Sequence, residues 1–138
     1  MPRARLAIAF VGAALLAGCG GLLTGGGVTI LRYGPMNGGM SALAEGTLRF
    51  INGCAVVESI DPNGAPNSRV VLWPAGTDLQ SIDGRVHVVL NGVAATDGDA
   101  VSLSGGEQTD QAWVQELVGP VGECRSDVYW MAWTMERS

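Results

Sequence analysis

Short runs of apolar residues, divided by Gly, Asn, Asp and Pro, fill the chain from residue 44 onward. Such runs, with apolar and polar positions alternating, are typical of β-strands joined by tight turns. Asn52-Gly53 and Asn91-Gly92 favour hairpins because both residue types tolerate positive φ, and Asp61-Pro62-Asn63-Gly64 favours a turn. The pattern predicts strands at 47–51, 54–59, 69–73, 85–90, 100–103 and 127–135.

One segment between the predicted strands has helical spacing. Residues 109–117 suffice for two turns of helix, with Thr109 or Asp110 as the N-cap and Trp113 and Leu117 facing inward. Because closing a sheet removes its exposed edges, we expect an all-β domain, a small OB-like barrel of five or six strands with at most one short helix. A small open sandwich is the alternative.

Before this domain, Arg3 and Arg5 are followed by an apolar stretch, 6–16, and by Leu16-Ala17-Gly18-Cys19. A positive start, an apolar centre and small residues before a cleavage point indicate a secretory signal, and the Cys indicates a lipoprotein signal. We expect a diacylglycerol on the Cys19 sulfur after removal of residues 1–18. The alternatives are an ordinary cleaved signal and a permanent membrane helix, which needs about 18 or more consecutive apolar residues.

The stretch after Cys19 is rich in glycine. We therefore predict three parts: a signal peptide at 1–18, a lipidated Cys with a Gly-rich tether at 19–43, and a domain at 44–138. Within the tether, Val28 to Tyr33 has the composition of a short strand, and its addition to the domain stays open.

The net charge of the chain narrows the classes of partner that it can bind. The chain has eight basic residues, all Arg, and 13 acidic ones, a net charge of −5. Removal of 1–18 takes Arg3 and Arg5 and leaves six basic residues against 13 acidic ones, a net charge of −7. This sign argues against nucleic acid as a partner.

Which cysteines are available to pair with each other depends on whether Cys19 carries the lipid. Assigning Cys19 to it leaves Cys54 and Cys124 as one pair, and an oxidising compartment favours a disulfide between them, from the second strand to the loop before the last one. The alternatives are a metal site, for which the chain offers a single His, and a catalytic thiol.

Several short motifs follow one another along the domain: Gly46-x-Leu48, Asn52-Gly53-Cys54, the run from Val71 to Thr77, Asp97-Gly98-Asp99-x-Val101, Gly105-Gly106-Glu107 and Cys124. In this order they resemble the motifs of small, functionally uncharacterised envelope lipoproteins of actinobacteria. The resemblance implies a location in the cell envelope and a disulfide-linked β-barrel, and it supplies no catalytic residue.

Residues suited to catalysis or metal binding are few. His87, the single histidine, shares a strand face with Arg85 and Val89, and no Gly-x-Ser-x-Gly motif surrounds a serine. Asp97, Asp99 and Glu107 are candidate calcium ligands, although Asp-Gly also forms ordinary turns. No cofactor is expected.

The aromatic segment 129–133 is apolar on both strand faces, with Tyr129 and Trp133 on one of them. Either it is core, covered by the tether or by 109–117, or Tyr129 and Trp133 form an exposed shelf that binds a sugar, a lipid or a protein.

The sequence thus predicts a lipoprotein on the extracytoplasmic side of the cell membrane, a non-enzymatic binding or accessory module. Its expected partners are the membrane, through the lipid, and an unidentified envelope protein or small ligand. A cell-envelope hydrolase using His87 with a Ser and a carboxylate, and a purely structural surface protein, are the alternatives.

Overall fold

The computed structural model describes residues 21–36 and 39–138, and strands dominate it, as predicted. The helical elements are α1 (Gln111–Val118) and a 3-10 turn at Gly122–Cys124. The strands are β1 (Gly21–Gly25), β2 (Val28–Tyr33), β3 (Ala42–Ile51), β4 (Cys54–Ile60), β5 (Pro66–Pro74), β6 (Asp78–Ile82), β7 (Arg85–Leu90), β8 (Val93–Ala95), β9 (Ala100–Gln108) and β10 (Tyr129–Arg137).

A sheet of seven strands curls in a partly barrel-like arrangement. β3 pairs antiparallel with β4 and β9, β4 pairs antiparallel with β5, and β9 pairs antiparallel with β10. A parallel pairing of β10 with β5 closes the circuit, so that Val70 is paired with Val56 of β4 and with Tyr129 of β10. We call these five strands the ring.

The chain before residue 44 differs from the predicted tether. β1 and β2 form a hairpin, and β2 runs parallel to the end of β5, with Leu31 opposite Leu72. Ile30, Leu31 and Tyr33 are each 1% exposed, so the folded body includes residues from Gly21 on. The structure therefore shows that residues 28–33 are a strand added to the folded body. The physical reason is burial of the apolar side chains of this segment.

A second sheet, β6-β7-β8, connects β5 to β9, and the sequence patterns miss its first and last strands. Val88, Leu90 and Ala95 from this sheet join the ring's interior core, which includes Leu48 and Trp73. This burial explains why Val88 and Leu90 are buried on β7 while Val89 between them is only partly buried.

A second core lies on the other face of the ring, under α1. It combines Leu72 and Met131 from the ring with Leu31 from β2 and Val114 and Val118 from α1. The predicted helix is confirmed, with Asp110 as its N-cap. The inward-facing pair is Val114 and Val118, one position beyond the predicted Trp113 and Leu117, which are only partly buried against this core.

The predicted disulfide is present between Cys54, at the start of β4, and Cys124, in the 3-10 turn before β10. The two Cα atoms are 5.5 Å apart, within the range that a disulfide spans. The bond fixes the segment after α1 against the outer face of the ring.

Candidate functional site

The predicted site residues fall in different parts of the molecule. Cys19, the predicted lipidation site, lies outside the described residues. Across 21–36 and 39–138, no helix has the length and apolar character needed to cross a membrane.

The three candidate calcium ligands are engaged separately. Asp97 accepts a hydrogen bond from the Phe50 backbone N–H at 2.8 Å, and Asp99 accepts one from the Thr96 backbone N–H at 2.9 Å. Glu107 is eight residues along β9 from Asp99, roughly 26 Å of strand, and pairs with Arg69 at 3.1 Å. Within the described ranges no three His, Cys, Asp or Glu side chains are grouped to hold a metal.

The two candidate shelf residues are largely enclosed. Tyr129 is fully buried, and its hydroxyl accepts a hydrogen bond from the Ser126 backbone N–H at 3.0 Å. Trp133 is half-buried, its ring centroid 6.1 Å from that of Tyr33. Gly39 lies directly against the Trp133 indole. Tyr129 and Trp133 are therefore better described as part of a core, covered by residues before 44 and by α1, than as an exposed shelf.

His87 is held in a local contact on β7. Its Nδ1 lies 2.9 Å from the carbonyl oxygen of Arg85, and in the described part of the chain no hydroxyl or carboxylate is hydrogen-bonded to it. The arrangement of a nucleophile hydrogen-bonded to a base, which a hydrolase of this kind requires, is therefore not formed at His87.

An open concavity follows the outer face of β3, β4 and β5. One depression of about 510 Å³ lies over the last residues of β4 and the first residues of β5, and another of about 250 Å³ lies beside the disulfide. Ser68 lines both, so we treat them as one surface and call it the outer groove. Its exposed lining includes Arg49, Ile51, Ile60, Ser68, Glu123 and Arg125.

Strand alternation and register build the outer groove. Leu48 and Val57 point into the ring's core, so their neighbours in sequence, Arg49 and Glu58, point outward. The register then places Glu58 beside Ser68 across the β4–β5 pair. Sequence alternation could have placed these side chains outside, but only the register shows which of them are neighbours.

Two apolar side chains mark the two halves of the outer groove. Ile60 is 75% exposed in the larger depression, and Ile51 is 41% exposed in the smaller one. Between them the lining combines polar side chains, Ser68 and Asn67, with the buried Val56 and Val70, and the disulfide holds Glu123 and Arg125 at one side. The groove can therefore bury an apolar group at either end and form hydrogen bonds between them.

The charged groups of the outer groove are only partly paired. Arg49 lies 3.8 Å from Asp97, with both side chains close to half exposed. Within residues 21–36 and 39–138, Glu58, Glu123 and Arg125 have no ion-pair partner within 4.0 Å. These side chains are available to a partner, which would gain specificity from opposite charges placed against them.

Comparison with known protein families, curated proteins and solved structures finds no match to this chain.

Proposed function

We propose that this protein is a lipid-anchored, extracytoplasmic binding module that captures a segment of a partner protein in the outer groove. The observation that carries the proposal is the groove itself: an open concavity on a ring face, with an exposed Ile at each end and a wall fixed by the disulfide. Concave surfaces with apolar anchors and a polar surround suit protein recognition.

The order of pairing around the ring supports an OB-like barrel. OB-folds bind ligands on the face of their second and third strands and on the loops beside them. In this chain the second and third strands of the ring are β4 and β5, which carry most of the groove lining. The sheet β6-β7-β8 and the position of α1, between β9 and β10, are additions particular to this chain.

The lining of the outer groove favours a polypeptide over other ligands. It contains no aromatic side chain, whereas binding of bases commonly uses aromatic stacking. The net charge of −5 opposes a polyanion. An extended peptide can place apolar side chains at Ile51 and Ile60 and polar groups near Ser68.

The sequence around Cys19 supports anchoring, and the disulfide fits an oxidising compartment. In this proposal the start of β1 is close to the lipid, since Gly21 is only two residues after Cys19, at most about 7.6 Å between Cα atoms. The domain then rests at the membrane surface rather than at the end of a tether.

A photo-crosslinking amino acid at Ser68, in cells that express the anchored protein, tests the proposal. We expect a discrete crosslinked protein from Ser68 and none from Gln80, an exposed control on β6. Ile60→Glu should abolish the crosslink by placing a charge at an apolar anchor. Leu43→Glu is the matched control, since Leu43 is 60% exposed and lies outside the groove.

The proposal fails if no adduct forms at Ser68, if Gln80 gives the same adduct, or if Ile60→Glu leaves the adduct unchanged. Circular dichroism of both Glu variants checks that each retains the fold.

A further inference from the structure

Three of the chain's five methionines meet at one small cavity on the outer side of β10. The cavity has a volume of about 20 Å³ and is lined by Met36, Met40, Gly105, Met131 and Trp133. This volume admits a single water-sized species. The other two methionines are Met1 and Met135, and Met135 belongs to the ring's interior core.

Two glycines of β9 pack closely against the residues that line the cavity. A Cβ on Gly106 would lie 2.2 Å from the Sδ atom of Met40, and a Cβ on Gly105 would lie 1.8 Å from the carbonyl oxygen of Met131. Neither position accepts a side chain without displacing its neighbours. Gln108 also donates a hydrogen bond from Nε2 to Met40 Sδ at 3.5 Å, which orients this thioether.

The lining selects a particular class of ligand. Thioethers are soft, neutral donors and favour soft monovalent ions such as Cu(I), whereas carboxylates and carbonyls favour Ca²⁺ and Mg²⁺. No carboxylate lines the cavity. An indole ring beside the cavity can add a cation–π contribution. Cys54 and Cys124 are joined in the disulfide, so their sulfurs do not compete as thiolates.

Methionine also fills irregular gaps in ordinary cores because its side chain is flexible. That role accounts for Met135, which is 3% exposed among apolar neighbours. It does not account for the cavity that remains between three methionines, or for the glycine at position 106 that admits Met40.

We propose that this cavity is a soft-metal site, in which thioether sulfurs of Met36, Met40 and Met131 bind one Cu(I) ion beside Trp133. The site is separate from the outer groove and does not depend on the binding function proposed for that surface.

Titration with Ag(I), a redox-inert probe for a Cu(I) site, tests this proposal. All variants are made in the full-length Cys19→Ser chain, purified in detergent and chloride-free buffer, so that no free thiol competes. We expect one Ag(I) per chain and a change in tryptophan fluorescence. In spectra of the chain labelled with ¹³C at the methionine methyl groups, three signals should shift, from Met36, Met40 and Met131.

Met40→Leu should weaken Ag(I) binding by at least about tenfold, since even groups that only support metal ligands contribute that much. Met40 is 36% exposed and Leu conserves its volume, so the fold should tolerate the change. Met135→Leu is the matched control and should bind within about twofold of the parent, because Met135 does not line the cavity.

The proposal is overturned if Ag(I) shifts none of the three cavity methionine signals, if Met135 shifts as much as they do, or if Met40→Leu binds as tightly as the parent. The methyl spectra of the parent chain give this answer even if Met40→Leu fails to fold. Ca²⁺ at the same concentration should shift no methionine signal.

Discussion

Removal of the Cys54–Cys124 disulfide should lower the free energy of unfolding by about 4 kcal/mol, the chain-entropy value for a sequence separation of 70. The variant is Cys54→Ala with Cys124→Ala, which leaves no free thiol at either position. Both cysteines are nearly fully buried, and Ala fits each site, so loss of the crosslink dominates the effect. A domain of this size has about 5–15 kcal/mol in total.

Urea unfolding followed by tryptophan fluorescence measures this loss directly. We also expect the melting temperature to fall by about 15 °C. The parent protein measured in reductant should unfold at the same urea concentration as the double variant. A loss below about 1 kcal/mol would contradict this expectation. It would show that α1 and the 3-10 turn restrict the unfolded chain, or hold the native fold, even without the bond.

Two further substitutions test the packing. Tyr33→Phe should cost about 1–2 kcal/mol, since the buried hydroxyl donates to the carbonyl oxygen of Ala132. Burial raises the pKa of Tyr33, so the unfolded state releases this proton first and stability should fall as pH rises above about 10; Tyr33→Phe should reduce that slope, as urea unfolding at several pH values will show. Gly46→Ala should cost about 1–3 kcal/mol by calorimetry, because its Cβ would lie 2.2 Å from the backbone oxygen of Glu58, whereas Gly76→Ala, with no atom within 4 Å of the new Cβ, should leave stability unchanged.

Local sequence patterns predicted the elements that depend on local chemistry. Asn52-Gly53 and Asn91-Gly92 both adopt positive φ at both residues, the geometry of tight hairpins. The Asp110 cap depends on a contact within one helical turn and was equally predictable. The disulfide followed from compartment and count rather than from distance.

The N-terminal hairpin was not predictable from composition because glycine has two uses. Gly26 and Gly27 have φ values of 57° and 79°, so they form the turn between β1 and β2. Three consecutive glycines equally suit a flexible linker. What distinguishes the two cases is the parallel pairing of β2 with β5, which joins residues about 40 positions apart and leaves no local signal.

Both proposed sites depend on similar long-range placement. The outer groove requires the β4–β5 register, and the methionine cavity brings residues 36 and 40 to Met131, more than 90 positions later. The sequence showed that 129–133 was apolar on both faces, but the residues that cover it become known only from the fold.

The most direct test of the central claim is the mass of the protein extracted from its own membrane. We predict that residues 1–18 are absent and that the first residue is Cys19 carrying a diacylglycerol. A Cys19→Ala variant should lose both the lipid mass and stable membrane association. An N-terminus at another residue with an unmodified Cys19 would contradict the account.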